Sequence, residues 1–348
     1  MKNYFALLFA FFLLYGCGGS NEKKQELIPY ELHGEAQGTT FTVKYLSKDS
    51  LDLSREVMDI LVNIDQELSL WVDSSELCKF NRQSLSTRYI DSSSIYFPSV
   101  FKLSKEVFQR TNGAFNPAVM PLVKYWGFAR KSEHPEQIDS LKIDSLMQHI
   151  SFNMVQLVGA GFVYAVADFD LQLDFNAVAQ GYSVDVIAEL LSKNNIEHYM
   201  VEIGGEVVAK GKNAQGEWWT IGIDKPKDNN TDRELQAVVQ LENRALATSG
   251  NYRKFYEKDG IKYSHTIDPS TGYPVQHTLL SASVFASDCG TADAYATAFM
   301  VMGVEKTKEF LKENPDLKLD VYLIFSDEKG EFKTWISEGI KEKIDEEN

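Results

Sequence analysis

Along this chain, segments in which apolar and polar residues alternate are mixed with segments whose apolar residues recur at helical spacing. The two kinds of segment do not follow each other in a regular βα order. Residues 38–45 (GTTFTVKY) are β-branched and alternating, which is typical of a strand. Residues 54–68 repeat apolar side chains at the spacing of a helix, from Val57 through Leu61 to Leu68. Because a doubly wound α/β fold requires regular alternation, this pattern predicts an α+β fold.

The remaining periodic segments are shorter, and most are separated by turn residues. They predict helices over 98–110, 177–192, 291–302 and 304–313, and strands over 152–157, 162–167, 171–174, 198–203, 218–223, 235–241, 245–248, 319–325 and 332–336. No Pro- or Ser-rich linker divides the body, so we expect one domain over 29–340. Residues 341–348 are expected to form a charged, frayed tail.

Composition excludes two classes of protein. Hydrophobic residues make up 44% of the 348 residues, which is enough for a core and excludes a wholly disordered chain. Asp and Glu outnumber Lys and Arg by 50 to 35, for a net charge of −15. A chain this acidic lacks the general electrostatic footprint of a nucleic-acid binder. A small anionic ligand would need local donors or a metal ion.

The N-terminus has the pattern of an export signal. The apolar run over 4–15 (YFALLFAFFLLY) has the length of a signal-peptide core and is short for a membrane span. Leu14, Gly16 and Cys17 resemble a bacterial lipobox, in which Cys17 is lipidated after residues 1–16 are removed. The alternative is an ordinary signal peptide with a bystander cysteine. We predict a lipoprotein whose residues 17–28 form a tether between the membrane and the domain.

Two clusters contain residues that suit metal or phosphate chemistry. Asp293 and Thr297 are four residues apart on a predicted helix, so they share one face and can bind a hard cation such as Mg²⁺. Asp293 can equally favour the helix dipole, and Thr297 can bond back to a carbonyl. Residues 174–182 pass from a strand into a helix, where free backbone groups can meet an anion or a metal. The alternative is an ordinary turn capped by Asp174.

Three further stretches combine turn residues with polar or aromatic side chains. His265 follows a predicted hairpin and suits a general base near neutral pH, or is simply a loop histidine. Residues 111–117, followed by Trp126, can line a ligand pocket or pack in the core. Gly204 and Gly205 end a predicted strand and permit close backbone approach.

Eight stretches, taken together and in this order, resemble the ApbE family of bacterial FAD:protein FMN transferases, and they span nearly all of the predicted mature chain. They are 34–45 (GEAQGTTFTVKY), 67–81 (ELSLWVDSSELCKFN), 111–128 (TNGAFNPAVMPLVKYWGF), 173–185 (LDFNAVAQGYSVD), 201–211 (VEIGGEVVAKG), 247–255 (ATSGNYRKF), 265–275 (HTIDPSTGYPV) and 291–303 (TADAYATAFMVMG). The resemblance implies an ApbE-like (T-fold-like) single compact domain of mixed sheets and helices.

The resemblance also implies the chemistry. A Thr or Ser hydroxyl of another protein attacks the phosphorus on the FMN side of FAD, AMP leaves, and FMN stays attached through a phosphoester. Mg²⁺ at the diphosphate would stabilise the charge that builds on the bridging oxygens. Its implied ligands are the Ala177 carbonyl, Asp293 and the Thr297 hydroxyl, and His265 is the implied base.

Residues implied to contact FAD follow from the same matched positions. They are Gln37, Trp71, Ala114, Phe115, Asn116, Asp174, Gln180 and Ile267. Three of these positions depart from the family pattern: Gln180 replaces a common Lys or Glu, Asn116 a common Asp, and Gln37 a common Met. Since Gln180 is neutral, it can hydrogen-bond the cofactor but adds no charge.

Three functions are consistent with this sequence. The first is the flavin transferase; the second is a Mg²⁺-dependent FAD pyrophosphatase that uses water and gives FMN and AMP; the third is a non-catalytic flavin-binding lipoprotein. The resemblance implies acceptors such as exported flavoprotein subunits of membrane redox complexes, of the Na⁺-translocating NADH:quinone reductase (Nqr) or Rnf type. Their modified residue lies in a motif resembling Ser/Asp-x-x-Thr/Ser-Gly-Ala-Thr, which this chain lacks. We therefore do not expect self-flavinylation. The lipobox-like N-terminus predicts an exported protein anchored by lipid to the cell envelope.

Overall fold

A computed structural model describes residues 27–83, 87–90, 93–158, 162–166, 171–227, 234–252 and 254–347. The predicted signal peptide, Cys17 and most of the tether lie outside these residues. Within the described parts, the α-helices are α1 (Ser54–Leu68), α2 (Glu76–Arg82), α3 (Tyr96–Arg110), α4 (Met120–Tyr125), α5 (Ser140–Met147), α6 (Ala179–Lys193) and α7 (Cys289–Glu313).

The strands are mostly short and belong to four sheets. They are β1 (Ile28–Ala36), β2 (Thr39–Ser47), β3 (Thr87–Tyr89), β4 (Val155–Val158), β5 (Phe162–Val166), β6 (His198–Ile203), β7 (Glu206–Lys210), β8 (Trp219–Asp224), β9 (Leu235–Leu241), β10 (Ala245–Gly250), β11 (Phe255–Lys258), β12 (Ile261–Ser264), β13 (Leu279–Ala286), β14 (Asp320–Ser326), β15 (Phe332–Ile336) and β16 (Ile344–Glu346).

An antiparallel sheet of eight strands forms the centre of the fold, in the order β1-β2-β6-β7-β10-β13-β14-β15. Smaller sheets, β16-β9-β8, β3-β5-β4 and the hairpin β11-β12, surround it. The β1–β2 hairpin turns on Gln37 and Gly38, whose φ angles are 53° and 76°. Two successive positive φ values are those of a type I′ turn, so this turn projects Gln37 from one end of the sheet.

Helix α7 supplies much of the core. Its first half is rich in alanine, and Ala292, Ala296 and Ala298 are fully buried among the side chains of the main hydrophobic cluster. Small side chains let the helix approach β10 and β13 closely. Gly303 interrupts α7 with φ of 76° and ψ of −179°, as the sequence predicted from the boundary at that glycine.

Most of the predicted elements are confirmed, including helix 54–68, strands 198–203 and 235–241, and the hairpin formed by β14 and β15. The strand predicted over 171–174 is wrong, because this segment pairs with no strand among the described residues and leads through a turn into α6. The expectation of a frayed tail is also wrong for residues 344–346, which pair with β9. No helix in the described parts of the chain has the length and apolar character needed to cross a membrane.

Candidate active site

One cavity of about 790 Å³ opens between the end of the central sheet, the start of α6 and the first half of α7. Its size falls within the range of small-molecule and cofactor sites, about 300–1,000 Å³. It brings together every residue for which the sequence predicted a catalytic, metal or flavin contact. These are Gln37, Trp71, Ala114, Phe115, Asn116, Asp174, Ala177, Gln180, His265, Ile267, Asp293 and Thr297.

Asp293 and Thr297 face this cavity from α7. Asp293 is only 6% exposed, and its Oδ2 accepts the Gly181 N–H of α6 at 3.2 Å. Burial raises the pKa of Asp293 to about 7, and the Gly181 hydrogen bond opposes that shift. Thr297 follows one turn later, with its Oγ1 3.2 Å from Ser249 Oγ of β10. The carboxylate and two hydroxyls therefore present oxygen atoms along one side of the cavity.

The turn before α6 exposes a further oxygen. In a regular helix the Gly181 N–H would donate to the Ala177 carbonyl, four residues earlier, but here it donates to Asp293. The Ala177 carbonyl is thus left without its helical partner among the described residues, and Ala177 also lines the cavity. Within the described residues, no group of three or more His, Cys, Asp or Glu side chains could hold a metal ion. A cation here would depend on this mixed set of carboxylate, hydroxyl and carbonyl oxygens.

The cavity is strongly acidic. Lys254 is the only lysine or arginine among the described residues that line it. Six carboxylates line the same space: Asp65, Asp174, Glu202, Glu206, Asp224 and Asp293. A diphosphate placed here would be repelled by this charge unless a cation or several directed hydrogen bonds offset it.

His265 lies between β12 and the turn that begins at Asp268. Its Nδ1 is 3.2 Å from the Lys254 carbonyl oxygen. Because a carbonyl can only accept, this hydrogen bond requires the proton on Nδ1 and leaves the lone pair on Nε2. Burial lowers the pKa of His265 to about 4, so the ring is neutral at physiological pH. A neutral imidazole with a free Nε2 can accept a proton.

Residues 114–117 of the loop 111–117 line the cavity. Phe115 is almost fully buried, and its backbone N–H donates to Thr111 Oγ1 at 3.2 Å. The Asn116 amide is engaged within the protein, donating to the Ile150 carbonyl at 3.0 Å and accepting the Ala118 N–H at 2.9 Å. Asn116 therefore shapes the wall of the cavity, and its side chain is already committed.

Trp71 stands at the mouth of the cavity and is 61% exposed. The Arg130 guanidinium lies 6.0 Å from its ring centre and donates to the Trp71 carbonyl at 2.9 Å. This hydrogen bond ties the Trp71 backbone to the loop after α4. The indole face is thus held at the entrance, where an aromatic ring of a ligand can stack.

The two glutamines occupy the end of the cavity nearest α6. Gln37 Nε2 donates to Ser183 Oγ at 2.7 Å, and its buried Oε1 has no hydrogen-bond partner among the described residues. Gln180 Nε2 approaches Gly204 so closely that a Cβ on this glycine would lie 3.1 Å away. Gly204 has φ of 66°, which also favours glycine. The β6–β7 turn is therefore pressed against Gln180.

Lys254 and Ser249 are among the lining residues that received no individual role from the sequence. Ser249 belongs to β10, where it looks like one more polar residue of a strand end. Lys254 lies in a lysine-rich hairpin, and only the fold brings it to the cavity. Only the structure points to Lys254. Its carbonyl accepts a hydrogen bond from His265, and its charge is opposite to that of the six carboxylates that line the cavity.

Comparisons with known proteins identify the family. The sequence profile of the ApbE family matches residues 37–322. The chain is 34% identical to an FAD:protein FMN transferase of Vibrio cholerae over 350 residues, covering 98% of each chain. It is also 34% identical to the FAD:protein FMN transferase of Escherichia coli K12 over 320 residues, covering 89% of this chain and 88% of that protein.

Solved structures give the same result. The flavin transferase ApbE from Vibrio cholerae superimposes with a TM-score of 0.79 at 31% identity, over 91% of this chain and 99% of that one. The apo flavinyl transferase ApbE of Pseudomonas stutzeri gives 0.79 at 29% identity, over 90% and 95%. The α+β, ApbE-like fold implied by the sequence is confirmed.

Proposed function

This chain belongs to the ApbE family of FAD:protein FMN transferases, and we propose that it moves FMN from FAD to a Thr or Ser hydroxyl of another protein with a divalent cation held at Asp293. The observation that carries the proposal is the buried Asp293 carboxylate on the wall of an acidic cavity. A buried carboxylate without a cationic partner is costly, and a bound cation would offset that cost.

The residues present suit Mg²⁺. This ion prefers hard oxygen ligands and keeps several waters. The Asp293 carboxylate, the Thr297 hydroxyl and the Ala177 carbonyl supply such oxygens, and the carbonyl lacks its helical partner. When bound, Mg²⁺ would neutralise charge on the diphosphate and stabilise the departing phosphate.

The acceptor hydroxyl must give up its proton as its oxygen bonds to phosphorus. His265 Nε2 keeps its lone pair and so can take the proton of the acceptor hydroxyl. The hydroxyl oxygen then forms a bond to the FMN-side phosphorus, and the bond from that phosphorus to the bridging oxygen breaks. The bridging oxygen leaves with AMP, and FMN remains as a phosphoester on the acceptor. The pKa of about 4 makes His265 a weaker base than the near-neutral one expected from the sequence, so it would take the proton only partially as the new bond forms.

Other residues of the cavity would bind FAD. The exposed indole of Trp71 can stack on the isoalloxazine or adenine ring, and the free Gln37 Oε1 can accept a hydrogen bond. Lys254 is the one lining lysine among the described residues and can neutralise a phosphate oxygen. Gln180 can donate to the cofactor without adding charge. Asn116 acts here through the shape of its loop.

We further propose that the protein is exported and anchored to the envelope through lipid on Cys17. The lipobox-like residues Leu14, Gly16 and Cys17 support this. The acceptor would then be an exported protein or an exported loop of a membrane redox complex, such as the Nqr- and Rnf-type subunits. A lipid anchor would keep the enzyme on the membrane surface on which such loops are displayed.

The test uses the full chain in detergent with FAD, Mg²⁺ and a peptide that carries the motif Asp-x-x-Thr-Gly-Ala-Thr. The intact mass of the peptide is measured beside free FMN and AMP. A peptide heavier by one FMN group, and unlabelled when EDTA is present, supports the proposal. Free FMN and AMP with an unlabelled peptide would assign the site to FAD hydrolysis by water. Unchanged FAD that nevertheless binds would assign it to flavin binding alone.

A further inference from the structure

Helices α6 and α7 each supply a carboxylate that accepts hydrogen bonds from the backbone of the other helix. Asp293 of α7 accepts the Gly181 N–H of α6 at 3.2 Å. Asp185 of α6 accepts the Cys289 N–H at 2.7 Å through Oδ1 and the Gly290 N–H at 2.8 Å through Oδ2. The two helices are therefore joined by three hydrogen bonds to carboxylates, and one of those carboxylates is the proposed cation ligand.

Close packing accompanies these bonds. A Cβ on Gly181 would overlap the Cys289 carbonyl oxygen and lie 2.8 Å from the Asp293 Cβ. A Cβ on Gly290 would lie 2.9 Å from Leu103 and 3.3 Å from the Tyr182 backbone nitrogen. Glycine at both positions lets the start of each helix approach the other. A movement of the first turn of α7 would therefore shift the Asp293 side chain.

Asp185 fills a specific need at the start of α7. The first N–H groups of a helix have no partner within the helix and must find one elsewhere. The Asp288 side chain accepts the Thr291 N–H at 2.9 Å, which is ordinary capping, and Asp185 takes the two preceding groups. A negative charge at this end also favours the helix dipole. Asp185 is not among the residues that line the cavity.

From this geometry we propose that Asp185 is a positioning residue, which fixes the first turn of α7 so that Asp293 and Thr297 stand where a divalent cation and the FAD diphosphate require them. Asp293 is one turn beyond Cys289, and Thr297 one turn beyond that. If the first turn frays, the Asp293 carboxylate loses its orientation toward the Gly181 N–H and the start of α6. The inference rests on the proposed function, since it assigns Asp293 to the cation.

The test compares Asp185→Asn with Asp288→Asn in the full chain. Asn at 185 has nearly the same shape but offers one oxygen and an amide group that would face the second N–H. Asn at 288 removes the same charge from the same helix start, yet Asn caps a helix as well as Asp does. Cation binding is measured directly with Mn²⁺, from the electron paramagnetic resonance signal of the free ion. Transfer rates are measured as kcat and KM for FAD at several Mg²⁺ concentrations.

We expect Asp185→Asn to raise the Mn²⁺ dissociation constant about tenfold and to lower kcat about tenfold at limiting Mg²⁺, the factors seen when support of a metal ligand is removed. KM for FAD should change less than kcat, and saturating Mg²⁺ should restore most of the rate. Asp288→Asn should leave all three values within about twofold of wild type. A second variant, Asp185→Ser, keeps one acceptor with less bulk and should behave like Asp185→Asn.

Three results would overturn the inference. Wild-type Mn²⁺ affinity and kcat in both Asp185 variants would show that the first turn of α7 needs no such support. Loss of cooperative thermal unfolding in both variants would assign Asp185 to the stability of the fold instead. Losses of equal size in Asp288→Asn would show that any charge change there has the same effect. If the wild-type chain itself neither binds Mn²⁺ nor requires a divalent cation, the proposed function fails, which is a separate outcome.

Discussion

Replacing Asp293 by Asn should stabilise the metal-free protein while abolishing transfer. Burial raises the pKa of Asp293 from its ordinary value of 3.8 to about 7 in the native state. The native carboxyl therefore holds its proton over a pH range in which the unfolded chain has already released it. The contribution of Asp293 to the free energy of unfolding is greatest in acid. It falls as pH rises from about 4 to 7 and is constant above that. Asn keeps an acceptor for Gly181 but cannot ionise.

The size of the effect follows from the two pKa values. At pH 8 Asp293 is ionised in both states, and the difference in pKa corresponds to about 4 kcal/mol of lost stability. At pH 5 the loss is about 2 kcal/mol, because only the unfolded chain is ionised. Asp293→Asn should therefore raise the free energy of unfolding relative to wild type by about 2–3 kcal/mol more at pH 8 than at pH 5.

Urea unfolding in EDTA at the two pH values measures this difference. Asp59→Asn is the control, because it makes the same chemical change on a side chain of α1 that is 67% exposed, and it should show no pH-dependent gain. Added Mg²⁺ at pH 8 should stabilise wild type and leave Asp293→Asn unchanged. A variant less stable than wild type at pH 8 in EDTA would refute the reasoning, since the buried charge would then be favourable without a cation.

Three further changes test the other parts of the site. His265→Ala should lower kcat by about 10²–10⁴ and leave FAD binding by fluorescence titration nearly unchanged, and a parallel loss of binding would contradict its role as a base. Lys254→Met should raise KM for FAD about tenfold in steady-state assays with little change in kcat, whereas Lys329→Met, on the exposed β14–β15 turn, should have no effect. Mn²⁺ binding to wild type should weaken about tenfold for each pH unit below 7, because the cation must displace the Asp293 proton; a dissociation constant that does not change between pH 6 and 8 would exclude Asp293 as a ligand.

The sequence was most informative where local pattern and tertiary role coincide. The apolar spacing over 54–68 depends only on which face of α1 meets the core, and the boundary at Gly303 depends on a backbone conformation that favours glycine. The strand expected over 171–174 has suitable side chains, but within the described parts of the chain no strand pairs with it. Its backbone is instead fixed by tertiary contacts, such as the Asp174 N–H donating to the Pro117 carbonyl at 2.7 Å. Pairing partners of this kind cannot be read from a single segment.

In the candidate site, too, the sequence predicted which residues take part but not their distant backbone partners. The order of eight short stretches was enough to recognise the family, and it placed every proposed contact on one cavity. The Asn116 amide donates to the Ile150 carbonyl, and Ile150 is 34 residues away in the sequence. The role inferred for Asp185 depends on two backbone N–H groups more than 100 residues further along the chain. Sequence patterns identify residue types, whereas these functions arise from distant backbone groups.

Counting both products in one reaction tests directly whether this protein transfers FMN. The full chain is incubated with FAD, Mg²⁺ and the acceptor peptide, and released AMP is compared with FMN attached to the peptide. We predict one AMP for each FMN attached, and no AMP from Asp293→Asn or in EDTA. AMP formed together with free FMN, or labelling that persists without a divalent cation, would contradict this prediction.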